Sequence, residues 1–283
     1  MNSGRLILAG TPLGNAGDAS GRLRSALAEA EVIFAEDTRR LRHLAQDLEV
    51  RVTGEVHSFF AGNESERIVN LRAFLERGQS VLLITDGGMP GISDPGYLAI
   101  QEALALGVAL EVLPGPSAVT TALVLSGLSM ERFIFDGFPP RSANARIDYI
   151  HSIKSEARTL VLFEAPHRTK ELVRDLVEIL GASRKVSLCR EMTKKYEEVF
   201  RGTLEALNSW VESREILGEI TLVIEGASPS EITARTPEEI ARLVGECEAA
   251  GMERREAVTA VAEQLRLRKR EVFDALVASK MEE

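Results

Sequence analysis

Short apolar runs alternate with amphipathic stretches from the first residues onward, and three of the early runs end in loops dense in glycine and proline. Residues 6–9, a helical pattern over 22–31, residues 32–35 and a further helix reaching Leu48 open the series. A helix near 64–77, the run 81–85, a helix over 97–106 and the run 108–113 continue it. Strand-length apolar segments separated by helices with one apolar face predict an α/β domain. A small-residue helix over 117–126 and the aromatic run 133–135 follow, with a domain junction expected between Pro114 and Gly127. The second half continues the alternation, with strands at 159–163, 186–189, 197–200 and 220–224, and helices over 167–180 and through Trp210.

Ala227-Ser228-Pro229-Ser230 reads as a linker. Thr236-Pro237-Glu238-Glu239 reads as a helix start, with threonine as cap and proline in the first turn, where its missing N–H costs nothing. A helical tail over 240–247, 255–265 and 269–276 completes the chain. The expected division is 1–116, 117–226 and 227–283.

The chain is 45% apolar and 27% charged, the balance of a soluble globular protein. It has no bilayer-length apolar run and no recognisable signal peptide, so a cytoplasmic protein is expected. Its two cysteines, Cys189 and Cys247, lack any metal-ligand spacing, so no metal is expected. A net charge of -9 argues against a phosphate-binding surface over the whole chain, but the distribution is uneven. Residues 254–270 hold six basic side chains against two acidic ones, and a smaller excess surrounds Arg141, Arg146, Lys154 and Arg158. Solvated helix faces account for such clusters equally well.

The three loops are Gly10-Thr11-Pro12-Leu13-Gly14-Asn15, the segment from Asp86 to Gly96, and Pro114-Gly115-Pro116-Ser117-Ala118. Each follows an expected strand, and open α/β sheets bind ligands at the carboxyl ends of their strands. Glycine lets a backbone approach a ligand closely, while proline keeps the loop stiff. Asn15 stands where a phosphate-binding loop needs Lys-Ser/Thr, and no G-x-G-x-x-G is present, so neither a nucleoside-triphosphate site nor a dinucleotide site is supported.

Seven segments occur in a characteristic order: Thr11-Pro12-Leu13-Gly14-Asn15, Ala35-Glu36-Asp37-Thr38-Arg39, Asp86 to Gly96, Leu113 to Ala118, Glu164-Ala165-Pro166-His167-Arg168, Arg190-Glu191-Met192-Thr193-Lys194 and Gly218-Glu219-Ile220. Together they resemble the ribosomal RNA small subunit methyltransferase I family of the tetrapyrrole methylase superfamily, over the stretch from Leu6 to Glu225. The resemblance implies a two-domain α/β, tetrapyrrole-methylase-like fold with a small C-terminal helical tail, working as a homodimer. It implies S-adenosylmethionine in the interdomain cleft and methylation of a cytidine ribose 2'-hydroxyl in the decoding region of small-subunit rRNA, free or in the 30S particle. The donor is expected against Asp86, Gly87, Gly88, Met89, Ile92, Ser117 and Ala118, with Pro12 and Gly14 closing the cleft opposite. One departure stands out: the family usually places histidines just before the Asn63-Glu64 pair, where this chain has Phe60 and Gly62, and His57 lies out of register.

Methyl transfer from a sulfonium is an in-line displacement that needs no metal. Positioning contributes roughly 7–11 kcal/mol to such reactions, and a base adds roughly 10²- to 10⁴-fold. The candidate bases are Asp37, Glu64, Asp94 and His167, and the sequence does not choose among them. Asp37 also suits a helix cap, Glu64 a first helical turn, Asp94 a turn before Pro95, and His167 a substrate contact or cap. Arg39, Arg168, Arg190 and Lys194 suit phosphate contacts, or internal pairing with Glu36, Glu164 and Glu191. Arg141 follows Phe138-Pro139-Pro140 on an expected exposed loop, where an RNA backbone or a flipped nucleotide stacked on Phe138 is within reach. Leu123, Leu125 and Leu128 suit a core or a dimer interface. Two other functions are weighed: a tetrapyrrole C-methyltransferase, disfavoured by the loops 86–96 and 164–168 and the basic tail, and a noncatalytic S-adenosylmethionine-binding ribosome assembly factor.

Overall fold

The computed structural model describes residues 4–228, 237–265 and 267–279, so the expected linker residues Pro229 and Ser230 and the cap Thr236 lie outside the described residues. Strands β1 (Arg5–Ala9), β2 (Val32–Ala35), β3 (Glu55–Ser58), β4 (Val81–Ile84) and β5 (Ala109–Leu113) form a parallel sheet in the order β3-β2-β4-β1-β5. Helices α1 (Gly21–Glu29), α2 (Thr38–Asp47), α3 (Glu64–Glu76) and α4 (Tyr97–Ala105) alternate with them. Side chains alternate across a strand. Leu6, Leu8, Val32, Phe34, Val81 and Leu83 therefore pack on Leu71, Phe74, Ala99 and Ala103 of α3 and α4. Ala9, Ile33, Ala35, Leu82 and Ile84 pack on Leu23, Leu27 and Leu41 of α1 and α2. Burial of both faces is why these strands read as unbroken apolar runs.

Helix α5 (Ala118–Ser126) leads into a second sheet built from β6 (Phe133–Phe135), β7 (Thr159–Glu164), β8 (Lys185–Arg190), β9 (Glu198–Thr203) and β10 (Ile220–Ile224). Their order is β6-β7-β10-β8-β9, and only the β6/β7 pair is parallel. Helices α6 (Ala143–Ile153), α7 (Thr169–Leu180) and α8 (Leu204–Glu212) cover one face around Leu162, Leu172, Leu188 and Leu222. Helix α5 covers the other through Val119, Ala122 and Leu123, packed on Val161, Cys189 and Val223. Arg146 of α6 is buried and pairs with Asp175 at 2.6 Å and Glu171 at 3.4 Å on α7. The tail comprises α9 (Pro237–Ala249), α10 (Arg254–Leu265) and α11 (Lys269–Ala278), packed around Ile240, Val244, Val261, Val272 and Leu276.

Ala9 is in register with Ile84 and Leu113, and Ala35 with Ile84, so four neighbouring strands deliver their following loops to one edge of the first sheet. There Thr11 N donates to Gly88 O at 2.9 Å, Gly88 N returns a bond to Thr11 O at 3.0 Å, and Gly10 N donates to Leu113 O at 2.9 Å. The buried Thr11 hydroxyl donates to Thr85 O at 2.9 Å. Gly10 and Gly115 touch backbone to backbone: a methyl on Gly10 would lie 2.7 Å from Gly115 Cα and from Met89 Sδ. All three loops thus form one knitted unit.

Gly10→Ala is expected to lower the unfolding free energy by roughly 1–3 kcal/mol, the usual range for an atom forced into filled space. Gly21→Ala, at the first residue of α1, adds a methyl that meets nothing within 4 Å. That change is expected to be neutral or to stabilise by up to about 1 kcal/mol. Urea denaturation of the two variants checks the contrast, and coincident midpoints would show that the loops are not rigidly joined.

Candidate functional site

A cavity of about 450 Å³ lies where the knitted loops face the second sheet, within the range of small-molecule sites. Leu13, Asp86, Gly87, Gly88, Met89, Ile92, Ser93, Asp94, Ser117 and Ala118 form one wall, and Phe138, Phe163 to Pro166, Met192 and Gly218 to Thr221 form the other. The expected donor contacts Asp86, Gly87, Gly88, Met89, Ile92, Ser117 and Ala118 are therefore together. Pro12 faces a smaller hollow beside α2 instead. Gly14 lies under Lys194, whose Cγ would be 2.2 Å from a methyl at that position, so glycine is what lets the first loop meet the second half of the chain.

Five carboxylates line the cavity, Glu36, Asp86, Asp94, Glu164 and Glu219, and of these Glu164 is paired with Arg168. Glu36 and Asp86 are cross-linked, Asp86 N donating to Glu36 Oε2 and Asp37 N to Asp86 Oδ1, each at 3.1 Å. Arg40 approaches Asp86 at 3.5 Å. Burial raises the pKa of both acids; the charge of Asp86 adds to the effect on Glu36, and that of Asp37 to the effect on Asp86. Asp94 is pushed up to about 7, first by burial and then by Glu36, Asp86 and Glu219. No described residue donates a hydrogen bond to its carboxylate. Such a wall favours a cation.

Backbone strain concentrates at the same place. Among the described residues the non-glycine positions with positive φ are Glu49, Ser93, Glu191 and Thr193. Ser93 (φ 63°) lines the cavity, while Glu191 (φ 51°) and Thr193 (φ 65°) bracket Met192, which also lines it. Conformations of this kind cost on the order of 1–3 kcal/mol each and persist where surroundings enforce them. Here the enforcement is visible: Glu191 N donates to Glu219 O, Glu219 N donates to Glu191 Oε1, and Lys194 Nζ binds Glu191 at 3.0 Å and Glu219 at 3.1 Å.

The remaining candidates lie elsewhere or are engaged. Asp37 caps α2 through Arg39 N and binds the Arg39 guanidinium at 2.7 Å, which holds its carboxyl well below the usual range. Glu64 Oε1 accepts from Gly96 N at 3.0 Å and Leu98 N at 3.2 Å, closing the start of α4. His167 is exposed outside the cavity. Arg190 donates to Leu217 O and Tyr196 O, and Arg168 donates to Pro139 O at 2.8 Å and Pro140 O at 3.1 Å. Arg141 is exposed. In the tail, Arg254, Arg268 and Arg270 each pair with a nearby acid. His57 is stacked on Phe34 at 4.9 Å and sits beside Glu55, a packing role.

Glu36, Arg40, Phe163, Glu164, Met192, Glu219 and Thr221 line the cavity although residue type gives no reason to expect them there. The signal available for several of them is position: Glu36 directly follows β2, Glu164 ends β7, and Glu219 directly precedes β10. Glu164 is fully buried; Ala165 N donates to its Oε1, and Arg168 lies 3.3 Å from Oε2 without a directed hydrogen bond. Burial raises its pKa. Among the described residues no group of three or more His, Cys, Asp or Glu is arranged to hold a metal ion, and no helix is long and apolar enough to cross a membrane.

Comparison with known proteins places this geometry. The profile of the Tetrapyrrole (Corrin/Porphyrin) Methylases matches residues 5–208. A Mycobacterium bovis protein named Ribosomal RNA small subunit methyltransferase I is 44% identical over 286 aligned positions, covering 100% of this chain and 98% of its own length. A Thermotoga maritima protein of the same name is 42% identical, covering 79% of this chain and 99% of its own. A crystal structure of Thermus thermophilus uroporphyrin-III C-methyltransferase with S-adenosyl homocysteine shares the fold at a TM-score of 0.58 and 17% identity, covering 78% of this chain and 97% of that one. The chain belongs to the tetrapyrrole methylase family and, within it, to the ribosomal RNA small subunit methyltransferase I family.

Proposed function

We propose that this protein transfers a methyl group from S-adenosylmethionine to the 2'-hydroxyl of a decoding-region cytidine in small-subunit rRNA. What carries the reading is full-length identity of 44% to a relative bearing that enzyme's name, combined with a cavity of matching chemistry. The resemblance to tetrapyrrole enzymes of known structure, at 17% identity, concerns the fold alone. Residues 1–116, 117–226 and 227–283 serve as the units of this reading, the first two forming the walls of the cleft. Exposed Leu98 and Leu104 on α4 and Leu110 and Val112 on β5 support a homodimer. A ribosomal substrate puts the enzyme in the cytoplasm.

The cavity suits the methyl donor. Gly87 leaves room beside Pro12 O, which a methyl would approach to 3.5 Å, and Gly88 (φ 87°) adopts a conformation that side chains resist. Ser117 stands at the N-cap of helix α5 without a side-chain cap hydrogen bond, which leaves the first turn's N–H groups for an anionic group of the donor. S-adenosylmethionine supplies an electrophilic methyl on a positively charged sulfur, and that charge vanishes on transfer. Glu36, Asp86, Asp94 and Glu219 therefore favour the charged donor over its neutral product. Of the four candidate bases Asp94 is the one that lines the cavity. In the proposed step the ribose oxygen bonds to the methyl carbon as the carbon–sulfur bond breaks. The bonding pair returns to sulfur and the hydroxyl proton passes to Asp94.

Incubation with labelled donor and, separately, 30S particles, free 16S rRNA and a tetrapyrrole precursor is expected to label RNA at a cytidine ribose. Label on the tetrapyrrole alone would reverse the assignment, and donor binding without transfer to any of them would favour an assembly factor. A base works in its ionised form, and Asp94 ionises near pH 7. The value of kcat/KM, which reports the free enzyme, is accordingly expected to rise about tenfold per pH unit below that point and to level above it. Asp94→Asn is expected to lower the rate roughly 10²- to 10⁴-fold and to remove the inflection. Persistence of the inflection in that variant would assign the proton to another group.

A further inference from the structure

Resting on that reading, we infer that Phe138 is the stacking platform for the extruded base of the target nucleotide and sets its ribose against Asp94. Phe138 lines the cavity and is 52% exposed, so one face of its ring is open to an incoming group. Its support is extensive. Gly137 (φ 64°) accepts from Phe163 N at 2.8 Å, Asp136 N donates to Val161 O, and the Asp136 carboxylate accepts from the Tyr149 hydroxyl at 3.0 Å. On the other side Arg168 grips Pro139 O and Pro140 O. Phe138 also meets Phe163 edge-on at 5.7 Å, and Phe163 meets Phe135 at 4.8 Å. The ring is anchored without being covered. In this arrangement Arg168 is a positioning residue.

The opposite wall comes within contact distance at the same point. A methyl on Gly137 would lie 3.4 Å from Ser93 Oγ, so the residues preceding Phe138 and Asp94 approach one another across the cleft. Phe138 and Asp94 line the same cavity from facing walls. A nucleotide stacked within an RNA helix cannot reach such a recess and has to be turned out. The acidic interior repels phosphate, so the sugar enters while the phosphates stay at the rim, where Arg40 is exposed. Stacking needs only a π face, which every base has.

The test measures methyl transfer to 30S particles, S-adenosylhomocysteine affinity by calorimetry, and the melting temperature, for wild type and Phe138→Ala, Phe138→Leu, Phe138→Tyr and Phe138→Trp. The Ala and Leu variants are expected to lose about 5- to 150-fold in kcat/KM for the particle, the usual worth of one stacked base. Their S-adenosylhomocysteine affinity and melting temperature should stay near wild type, and the pH inflection should remain because Asp94 is intact. Tyr and Trp are expected to stay within about threefold of wild type, since base stacking on aromatic rings tolerates a change of ring. The inference is overturned if Leu performs as well as Trp, if Ala keeps full kcat/KM, or if product affinity falls in step with transfer. A wild-type enzyme that labels no RNA overturns the functional reading itself, a different result from wild-type transfer that is indifferent to Phe138.

Discussion

The backbone contact between Gly10 and Gly115, locked by the paired hydrogen bonds between Thr11 and Gly88, is the constraint on which the site depends. Neither glycine has positive φ; what each supplies is the absence of a side chain, because a methyl on either would sit about 2.7 Å from backbone atoms of the other. Contact at this range lets the loops after β1, β4 and β5 act as one wall. Met89 Sδ fills the remaining gap. The register that aligns Ala9 with Ile84 and Leu113 makes the contact possible, since a shift of one residue would carry one loop past another.

On this rigid wall the protein sets acids that it does not fully neutralise. Glu36 and Asp86 each accept a hydrogen bond from a backbone N–H, which stabilises an ionised carboxylate, yet burial outweighs those bonds and leaves both pKa values raised. Asp94 lacks even that support. A cationic ligand would relieve the repulsion among these groups, so a site that is electrostatically frustrated when empty is relaxed when filled. The left-handed residues around Met192 point the same way, since their strain is held in place by the ties among Glu191, Lys194 and Glu219.

Much of the first sheet was legible because its strands are buried on both faces, and strand β3 escaped notice because Glu-Val-His-Ser at the sheet edge is polar and only partly buried. Helix α6 escaped for a different reason: the core-facing Ile150 and Ile153 share their face with buried Arg146, whose charge breaks the apolar period. The antiparallel pairing of the second sheet was not legible either, because alternation reports burial and not direction. At the site, the glycine- and proline-rich wall announced itself through composition. The facing wall was marked only by the resemblance, through the segments at Glu164, Met192 and Gly218-Glu219-Ile220; Phe163 and Thr221 are ordinary core residues by type, and only long-range packing brings them to the cavity. The carboxylates of Asp37 and Glu64 illustrate the limit of residue type as a guide, for both are occupied by backbone N–H groups at helix starts.

How a chain of net charge -9 engages RNA follows from where its cations are spent. Arg168 and Arg190 hold backbone carbonyls, Lys194 ties two acids together, and Arg254, Arg268 and Arg270 face acidic neighbours on the tail. With a net charge of -9 and these side chains engaged within the fold, long-range attraction to a polyanion is weak. On the proposed reading, recognition rests on short-range complementarity: the Phe138 ring and an acidic interior that would admit a sugar and reject phosphate. The loop from Asp136 to Pro140, held by Arg168, belongs to the second sheet's wall. What the chain shares with a tetrapyrrole enzyme of known structure is the fold, and the fold does not fix what is methylated.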